Sequence, residues 1–313
     1  MRLLLTKKPG SRRDFFHPKY WVTWIGLGCL RLLILLPLPL SHFAGSLFGI
    51  VLFILFRSRR KVVEQNLRLC FPGWSRGLIY TTTFNNFCAT GRGLVDTGLA
   101  WWASRKRLQR LVHVKGQENF SAAQKTGRPV IILAGHFVAI DIAGMYISSL
   151  QNITSIYKKP KNELLHWAMV NGRLHFGTMT LVETKEGVKP ILQSLKRREP
   201  FYFPGDQDFG PAKSVFVPFF GVQAATVPTL SRLAKMSNAV ILPCFAKQLP
   251  WGKGYEVIFG RPVDDRFSGD ELQDTELMNR VIEHEVKEMP EQYFWMHKRF
   301  KTRPENDDRS FYV

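Results

Sequence analysis

Cysteine is scarce in this chain, and no two cysteines are close together. The four cysteines, Cys29, Cys70, Cys88 and Cys244, form no C-x-x-C pair. Their spacing disfavours a zinc site. It also predicts no disulfide framework, and proteins of a reducing compartment usually have none. The G-x-S-x-G segment Gly73-Trp-Ser-Arg-Gly77 follows no predicted strand and so does not form a nucleophile elbow, and none of the cysteines neighbours a histidine. An acyl-enzyme intermediate on serine or cysteine is therefore disfavoured.

Acidic residues are the second shortage. The 25 Asp and Glu stand against 44 Lys and Arg, which leaves a net charge of +19 and a pI near 10.0. This balance predicts an acidic partner, such as an anionic membrane, a phosphorylated substrate, an acidic protein or nucleic acid. Nucleic acid is the weakest choice, because no nucleic-acid-binding module is recognisable. A non-catalytic, membrane-anchored basic binding protein stays open as an alternative.

Low-complexity tracts and internal repeats are absent, and 45% of the residues are hydrophobic, so the chain is globular. Its N-terminal part contains a nearly continuous apolar run of 20 residues, Trp21 to Leu40, which is long enough to span a bilayer. A second run, Phe43 to Phe56, is too short to span comfortably. We predict a basic segment and membrane anchor over residues 1–56, with a single span, a hairpin and an interfacial anchor as alternatives.

The rest of the chain alternates short β-rich runs with amphipathic helical patterns. This alternation predicts an α/β domain over residues 57–305, with a central, largely parallel sheet flanked by helices. Residues 306–313 are predicted to be a loose tail. The candidate strands are 112–114, 130–134, 153–157, 178–182, 201–203, 214–217, 240–245 and 255–259, and the candidate helices are 78–111, 138–150, 161–175, 187–198, 225–237 and 272–288.

The most informative segment is Gly135 to Asp141. His136 directly follows a buried-strand pattern and precedes a helical one. Ligands and chemistry in α/β folds gather at that edge of the sheet. A histidine with a carboxylate five residues on can form a general base with its orienting acid, as a hydroxyl attacking an acyl group requires. A second pair at the same spacing, His113 and Glu118, lies in a short predicted strand and is interpreted as structural.

Six motifs in order resemble one known family. They are His17-Pro-Lys-Tyr-Trp21, Asn66-Leu-Arg-Leu-Cys-Phe-Pro72, the His136/Asp141 pair, Asp206-Gln-Asp-Phe-Gly-Pro211, Val215-Phe-Val-Pro-Phe-Phe-Gly221 and the long segment from Pro290 to Pro304. Together they resemble the lipid A late acyltransferases of Gram-negative bacteria, within the lysophospholipid acyltransferase-like superfamily. The opening motif is most similar to the lauroyl-transferring branch. The resemblance covers about residues 15–305.

The resemblance implies a reaction. A fatty acyl group would pass from acyl carrier protein to a hydroxyl of the anionic glycolipid Kdo(2)-lipid IV(A), at the inner membrane, with the active site facing the cytoplasm. It implies no metal and no cofactor. A chain with a charge of +19 suits the anionic leaflet, the phosphorylated glycolipid and the acidic carrier protein. The alternative is a glycerolipid acyltransferase that acylates lysophosphatidic acid, although the Pro-Glu-Gly-Thr-Arg block typical of that group is missing.

Three residues are predicted to be catalytic. His136 would take the proton from the acceptor hydroxyl, and Asp141 would hold the other ring nitrogen and stabilise the imidazolium. Many family members have Glu at the position of Asp141. The two can meet only if His136 lies in the loop and Asp141 in the first helical turn. The resemblance also implies a catalytically important arginine at Arg173, which would stabilise an oxyanion or clamp a phosphate.

The other predicted site residues bind substrate. Asp206 and Asp208, in a Pro/Gly turn, are expected to brace basic active-site residues or to bind sugar hydroxyls. Lys158 falls where the family usually has an arginine, and Phe219 is expected to line an acyl channel. His297, Arg299 and Arg303 alternate with other residues, as does Lys301, so in an extended segment all four would face phosphates or Kdo carboxylates.

Overall fold

The computed structural model describes residues 15–305 and 307–312, and it confirms the α/β class. Most of the predicted basic segment, residues 1–14, lies outside the described residues. Seven strands form one sheet in the order β1-β9-β8-β2-β5-β3-β4, parallel except for the β8–β9 pair, and β6 and β7 form a separate hairpin. The strands are β1 Val112–Lys115, β2 Val130–Ala134, β3 Ile153–Tyr157, β4 Met179–Glu183, β5 Phe201–Pro204, β6 Val215–Phe219, β7 Val222–Thr226, β8 Val240–Gln248 and β9 Tyr255–Phe259.

Helices cover both faces of this sheet. They are α1 Trp21–Leu33, α2 Leu38–Leu55, α3 Arg57–Cys70, α4 Arg76–Trp102, α5 Arg105–Leu111, α6 Gln117–Lys125, α7 Ile140–Leu150, α8 Glu163–Leu174, α9 Lys189–Lys196, α10 Thr229–Ser237 and α11 Glu271–Glu288. The predicted helix 78–111 is two helices, because Ser104 caps α5 by accepting a hydrogen bond from the Arg107 amide. The predicted helix 225–237 begins later, because β7 was missed and occupies 222–226.

Strand β2 lies in the middle of the sheet, and all five of its residues are buried. Val130 and Ile132 pack into the hydrophobic cluster on one face, and Ile131 and Leu133 pack into the cluster on the other. A strand buried on both faces is a continuous apolar run, which is why its bounds could be predicted correctly. The core therefore fixes the chain up to the residue where β2 ends, two positions before His136.

The prediction for the N-terminal anchor was wrong about which run forms the longer helix. The first run breaks: α1 has 13 residues, and the second helix begins after Pro37 and has 18. Proline lacks an N–H and is favoured in a first helical turn, so Pro39 starts a new helix rather than continuing the old one. By length and composition α2 is the one described helix that could cross a membrane.

Helices α2 and α4 cross at glycines. A Cβ on Gly91 of α4 would lie 2.7 Å from the backbone nitrogen of Gly49 and 2.9 Å from its Cα. No side chain fits between two backbones at that distance, so the crossing requires glycine. The apolar helix α2 is thereby held against the α/β domain along one side.

We expect Gly91→Ala to lower the free energy of unfolding by roughly 1–3 kcal/mol, because the added methyl forces the two backbones apart. Chemical denaturation in detergent measures this. The control is Gly26→Ala on α1, where a Cβ would meet no atom within 4 Å and alanine only improves helix propensity. Equal stabilities of the two variants would contradict the close crossing.

The C-terminal residues 307–312 are docked rather than loose, which differs from the predicted tail. The Tyr312 hydroxyl accepts a hydrogen bond from the Phe300 amide at 3.0 Å and donates one to Asn66 Oδ1 at 2.5 Å. The ring of Phe311 lies edge-on to Phe300, with centroids 6.4 Å apart. The ring of Phe311 and the hydrogen-bonded hydroxyl of Tyr312 therefore anchor the C-terminal residues to the domain. The polar and charged composition of this segment gave no sign of that contact.

Candidate active site

His136 lies in the loop after β2 and is held by Asp206. Its Nδ1 is 2.5 Å from Asp206 Oδ1, and its backbone N–H donates to Asp206 Oδ2 at 2.9 Å. The Asp206 side chain is completely buried, whereas 26% of the His136 side chain is exposed. One carboxylate thus fixes both the ring and the backbone of the histidine.

The sheet register explains why these two residues meet. Strands β2 and β5 are parallel neighbours, with Ala134 opposite Pro204. His136 follows Ala134 by two residues, and Asp206 follows Pro204 by two residues. Because parallel strands end at the same edge of a sheet, equal offsets place the two side chains side by side. The predicted role of Asp206 as a brace for a basic active-site residue agrees with this geometry.

The predicted contact between Asp141 and His136 was wrong. Asp141 does lie in the first turn of α7 and His136 in the loop, as the spacing required. Asp141 Oδ1, however, accepts a hydrogen bond from Arg173 at 2.7 Å, and both side chains are about one-fifth exposed. Asp206 already forms a hydrogen bond with Nδ1 of His136. Asp141, in the first turn of α7, instead contacts Arg173 in the last turn of α8. A catalytic role of Asp141 would therefore act through Arg173.

The electrostatics of the pair fit a histidine that works as a base. Burial acts to raise the pKa of Asp206, but the charge of His136 and hydrogen bonds from His136 and Tyr293 outweigh it, so the pKa lies below its ordinary value. An ionised Asp206 accepts a proton-bearing Nδ1, which leaves the lone pair on Nε2. Within residues 15–305 and 307–312, Nε2 has no hydrogen-bond partner.

Two residues of this site were missed as functional residues. The Tyr293 hydroxyl donates to Asp206 Oδ2 at 2.8 Å, and Asn66 Nδ2 donates to the carbonyls of Trp295 and His297 at 2.7 and 2.9 Å. Asn66 lies on the buried face of α3 among apolar residues. A polar residue on that face is the signal that could have identified it, because a buried amide needs partners.

A small cavity of about 10 Å³ lies beside His136, which is room for one water molecule. Its walls include His136, Asp206, Asn66 and two residues of the C-terminal segment, His297 and Arg299. The predicted site residues of three distant segments therefore meet here. The cavity is too small to hold an acyl chain, so an acyl chain would have to bind outside it.

The predicted basic stripe does not form. Residues 295–300 are in tight turns rather than an extended strand: the His297 carbonyl accepts from the Arg299 amide, and the Tyr293 carbonyl accepts from the Trp295 amide. His297 is also uncharged at neutral pH, because burial and then Arg299 lower its pKa to about 4. Its Nε2 accepts a hydrogen bond from the Asp208 amide at 3.0 Å.

The two arginines of that segment have protein partners. Arg299 is buried, with its guanidinium donating to the Ala225 carbonyl at 2.7 Å and to Thr226 Oγ1 at 2.6 Å. Arg303 pairs with Asp307. In a turn, successive side chains point in different directions. The basic residues that alternate in the sequence therefore do not share one face in the structure. Only Lys301 of the predicted stripe is exposed.

Asp208 holds the loop rather than facing outward. Its Oδ2 accepts from the Thr302 amide at 2.8 Å, and its Oδ1 accepts from the Thr302 hydroxyl and from the Gly210 amide. The carboxylate is therefore used to join the loop after β5 to the C-terminal segment. Lys158 lies at the same edge of the sheet, directly after β3, and is exposed.

Phe219 was predicted to line an acyl channel, but it is fully buried between Tyr293 and Phe300. The next residue, Phe220, instead lines an open groove of about 580 Å³ together with Phe71 and Trp74. Phe220 has a φ of 51°, a strained value for a non-glycine residue. Its amide donates to Glu283 Oε1 at 2.7 Å, which holds the turn in place.

The described residues contain no group of three or more His, Cys, Asp or Glu side chains arranged to hold a metal ion. The candidate site consists of the His136–Asp206 pair, the Asp141–Arg173 pair and an aromatic groove. Tyr202 lies close to both pairs: burial raises its pKa, Asp141 and Asp206 raise this pKa further, and Arg173 lowers it.

Comparison with known proteins identifies the family of this chain. The family model for the bacterial lipid A biosynthesis acyltransferases matches residues 8–302. The chain is 34% identical to the lipid A biosynthesis lauroyltransferase of Escherichia coli strain K12 over 302 residues, 96% of this chain and 98% of that one. It is 33% identical to the palmitoleoyltransferase of the same strain, over 96% and 97% of the two chains. The myristoyltransferase is 29% identical, over 94% and 91%. The chain belongs to the bacterial lipid A biosynthesis acyltransferase family.

Proposed function

We propose that this acyltransferase moves a fatty acyl group from acyl carrier protein to a hydroxyl of Kdo(2)-lipid IV(A) by direct transfer. His136 Nε2 takes the proton of the acceptor hydroxyl as its oxygen attacks the thioester carbonyl. The new C–O ester bond forms, the C–S bond breaks, and His136 returns the proton to the leaving thiolate. No cofactor takes part, because the acyl group arrives already activated as a thioester.

One observation carries this mechanism: His136 Nδ1 is fixed by a fully buried carboxylate, while the ring remains partly exposed. An orienting acid sets the tautomer in which Nε2 is the free base, and it stabilises the imidazolium that forms during transfer. The same arrangement activates serine in triads. Here the nearby groove and cavity offer no serine nucleophile, so the activated hydroxyl is that of the acceptor.

The partners follow from charge and apolar surface. Acyl carrier protein and the lipid A precursor are both acidic, and a chain with a net charge of +19 attracts both. The donor and the acceptor head group are available together at the cytoplasmic face of the inner membrane, so we place the active site there. The exposed apolar residues of α1 and α2 support a membrane location.

The aromatic groove is the best place for an acyl chain. Phe71 and Trp74 stack at 4.0 Å between ring centroids, and Phe220 lies 4.9 Å from Phe71. Trp295, whose ring is 6.2 Å from Phe71, separates this groove from the cavity beside His136. A groove of about 580 Å³ with an aromatic wall can hold an apolar acyl chain.

The proposal is tested by incubating membranes that contain the full chain with lauroyl-, myristoyl- and palmitoleoyl-acyl carrier protein, and with Kdo(2)-lipid IV(A) or lysophosphatidic acid as acceptor. Mass spectrometry of the lipids gives the product. We expect one added lauroyl group on Kdo(2)-lipid IV(A), with slower transfer from the other donors. Transfer to lysophosphatidic acid alone would favour a glycerolipid acyltransferase. Lipid binding without any transfer would indicate a non-catalytic protein.

The Asp141–Arg173 pair yields a separate prediction. We expect Asp141→Asn to lower kcat roughly ten- to a hundredfold with little change in KM, because a charge-assisted hydrogen bond of about 1.5–3 kcal/mol no longer holds Arg173 toward the developing oxyanion. Steady-state rates over a range of acceptor concentrations measure both constants. A raised KM with unchanged kcat would mean that Arg173 binds a ground-state phosphate instead.

The double variant Asp141→Asn/Arg173→Gln is the control for that prediction. If Asp141 acts only through Arg173, the double variant is no slower than Arg173→Gln alone. Independent, additive losses would show that Asp141 has a role of its own, for example at His136.

A further inference from the structure

The exposed side of α2 is a continuous apolar stripe. Leu40, Phe43, Leu47, Val51 and Ile54 follow each other at intervals of three or four residues, and each is at least 47% exposed. The opposite side, which carries Gly45 and Gly49, packs on α4. A helix that is apolar all round and buried on one side only needs a second apolar environment.

Both ends of this helix are attached to the same α/β domain. Near its start, His42 Nε2 is 3.1 Å from the Tyr255 hydroxyl on β9. Just beyond its end, Arg59 donates to the Met296 carbonyl of the active-site segment at 3.3 Å. An 18-residue helix is about 27 Å long, nearly the thickness of the bilayer hydrocarbon. If α2 crossed the bilayer, one of these two contacts would lie on the far side.

The turn between β8 and β9 carries a protruding tryptophan at the start of α2. Trp251 is 86% exposed and has a φ of 60°, a costly conformation for a side-chain-bearing residue. The adjacent Gly252 touches Pro39, to whose nitrogen a Cβ on Gly252 would be only 2.7 Å away. Neither core packing nor a hydrogen bond within the described residues explains why this indole protrudes into solvent. Because the turn contacts the first residues of α2, next to exposed Leu40, Trp251 protrudes from the α/β domain near the start of the apolar stripe.

We propose that α2 does not cross the membrane: it lies in the plane of one leaflet, and Trp251 inserts beside it as an anchor from the α/β domain. Tryptophan favours the interface between headgroups and acyl chains. The charges agree, because exposed Arg57 and Lys61 follow the end of α2, and exposed Lys253 follows the tryptophan turn. An apolar face between cationic ends matches an anionic lipid surface.

This inference refines the membrane location in the proposed function. Its tests do not measure acyl transfer, so either can fail without the other. The first test places single cysteines at Ser58, after α2, and at Lys106, whose neighbour Arg107 donates to the Leu36 carbonyl at 2.9 Å before α2. The more accessible native cysteines are changed by Cys29→Ser and Cys88→Ser, while the two buried ones remain.

A membrane-impermeant maleimide is added to sealed inverted vesicles and to right-side-out spheroplasts, with detergent to verify that both cysteines react. We expect Ser58→Cys and Lys106→Cys to be labelled from the same side, in inverted vesicles only. Labelling of the two positions from opposite sides would overturn the in-plane arrangement and establish α2 as a span.

The second test uses Trp251→Gly. Glycine accepts a positive φ, so this variant removes the indole while relieving backbone strain, and its thermal unfolding midpoint should not fall. We expect about tenfold weaker binding of the full chain to phosphatidylglycerol–phosphatidylethanolamine vesicles, from the lost apolar burial. The matched control is Met236→Ala, a similarly exposed residue (64%) on α10, which packs against α9 and α11.

Binding that is equal for Trp251→Gly and the control would overturn the anchor. So would a dimer of the wild type that Trp251→Gly dissociates, because the stripe would then be an interface between copies. The sedimentation of both proteins in detergent, measured alongside the vesicle experiment, separates these outcomes.

Discussion

Replacing His136 by alanine is expected to slow acyl transfer by about a thousandfold, within the range of 10²–10⁴ that a positioned general base supplies. The remaining chain would still bind donor and acceptor, so KM should change little while kcat falls. The measurement is the rate of lauroyl transfer to Kdo(2)-lipid IV(A) by equal amounts of wild type and variant. The expected size of the effect follows from the Nε2 of His136, which is left free because Asp206 holds Nδ1.

The matched control is His113→Ala. His113 also has an acid five residues on, Glu118, but it lies on β1 at the far edge of the sheet, three strands away from β2. Its loss should leave transfer within about twofold of the wild type, as for a surface substitution remote from the site. If His113→Ala were as slow as His136→Ala, or if His136→Ala kept full activity, the assignment of the base would fail.

Replacing Asp206 by asparagine is expected to cost nearly as much, about a hundred- to a thousandfold in kcat. Asparagine keeps the shape of the side chain, but its neutral amide can no longer stabilise the imidazolium. It can also present an N–H to Nδ1, which would select the tautomer with the proton on Nε2. The comparison that decides between the two carboxylates is Asp206→Asn against Asp141→Asn. We expect the former to be at least tenfold slower.

The stability of the Asp206 variant gives an independent readout. The folded-state pKa of Asp206 is depressed, so the hydrogen-bonded carboxylate stabilises the native state above the unfolded carboxyl pKa of about 4, and this contribution is lost as the pH falls through the lower folded-state pKa. Wild type should therefore be more stable than Asp206→Asn at pH 7, and the difference should shrink toward pH 3. A difference that is independent of pH would mean that Asp206 is not ionised in the folded protein.

The local elements were the most predictable part of the fold. The bounds of β2, β3 and β9 were predicted correctly, because each is a short run rich in β-branched and aromatic residues. The hairpin strand β7 was missed, because its sequence Val-Gln-Ala-Ala-Thr has little β propensity and is held by pairing with β6. The bounds of the N-terminal apolar helix were wrong for a local reason, since hydropathy joined residues on both sides of Pro37, where a new helix begins.

The candidate site divides in the same way. The position of His136 in the loop directly after a buried strand was predicted correctly from the sequence, and its role as the base stays a prediction. The family and the class of reaction followed from the order of six motifs, and the charge of +19 indicated acidic partners.

Only the tertiary structure decided which carboxylate serves His136. Asp141 is five residues away and Asp206 is seventy, yet the parallel pairing of β2 with β5 makes Asp206 the neighbour. Strand order depends on how distant elements pack, which local spacing does not contain. The same reason holds for Arg299 and Arg303, which turns and protein partners keep from forming a shared basic face. It also holds for Trp251, because its turn meets the start of α2 only in the folded chain.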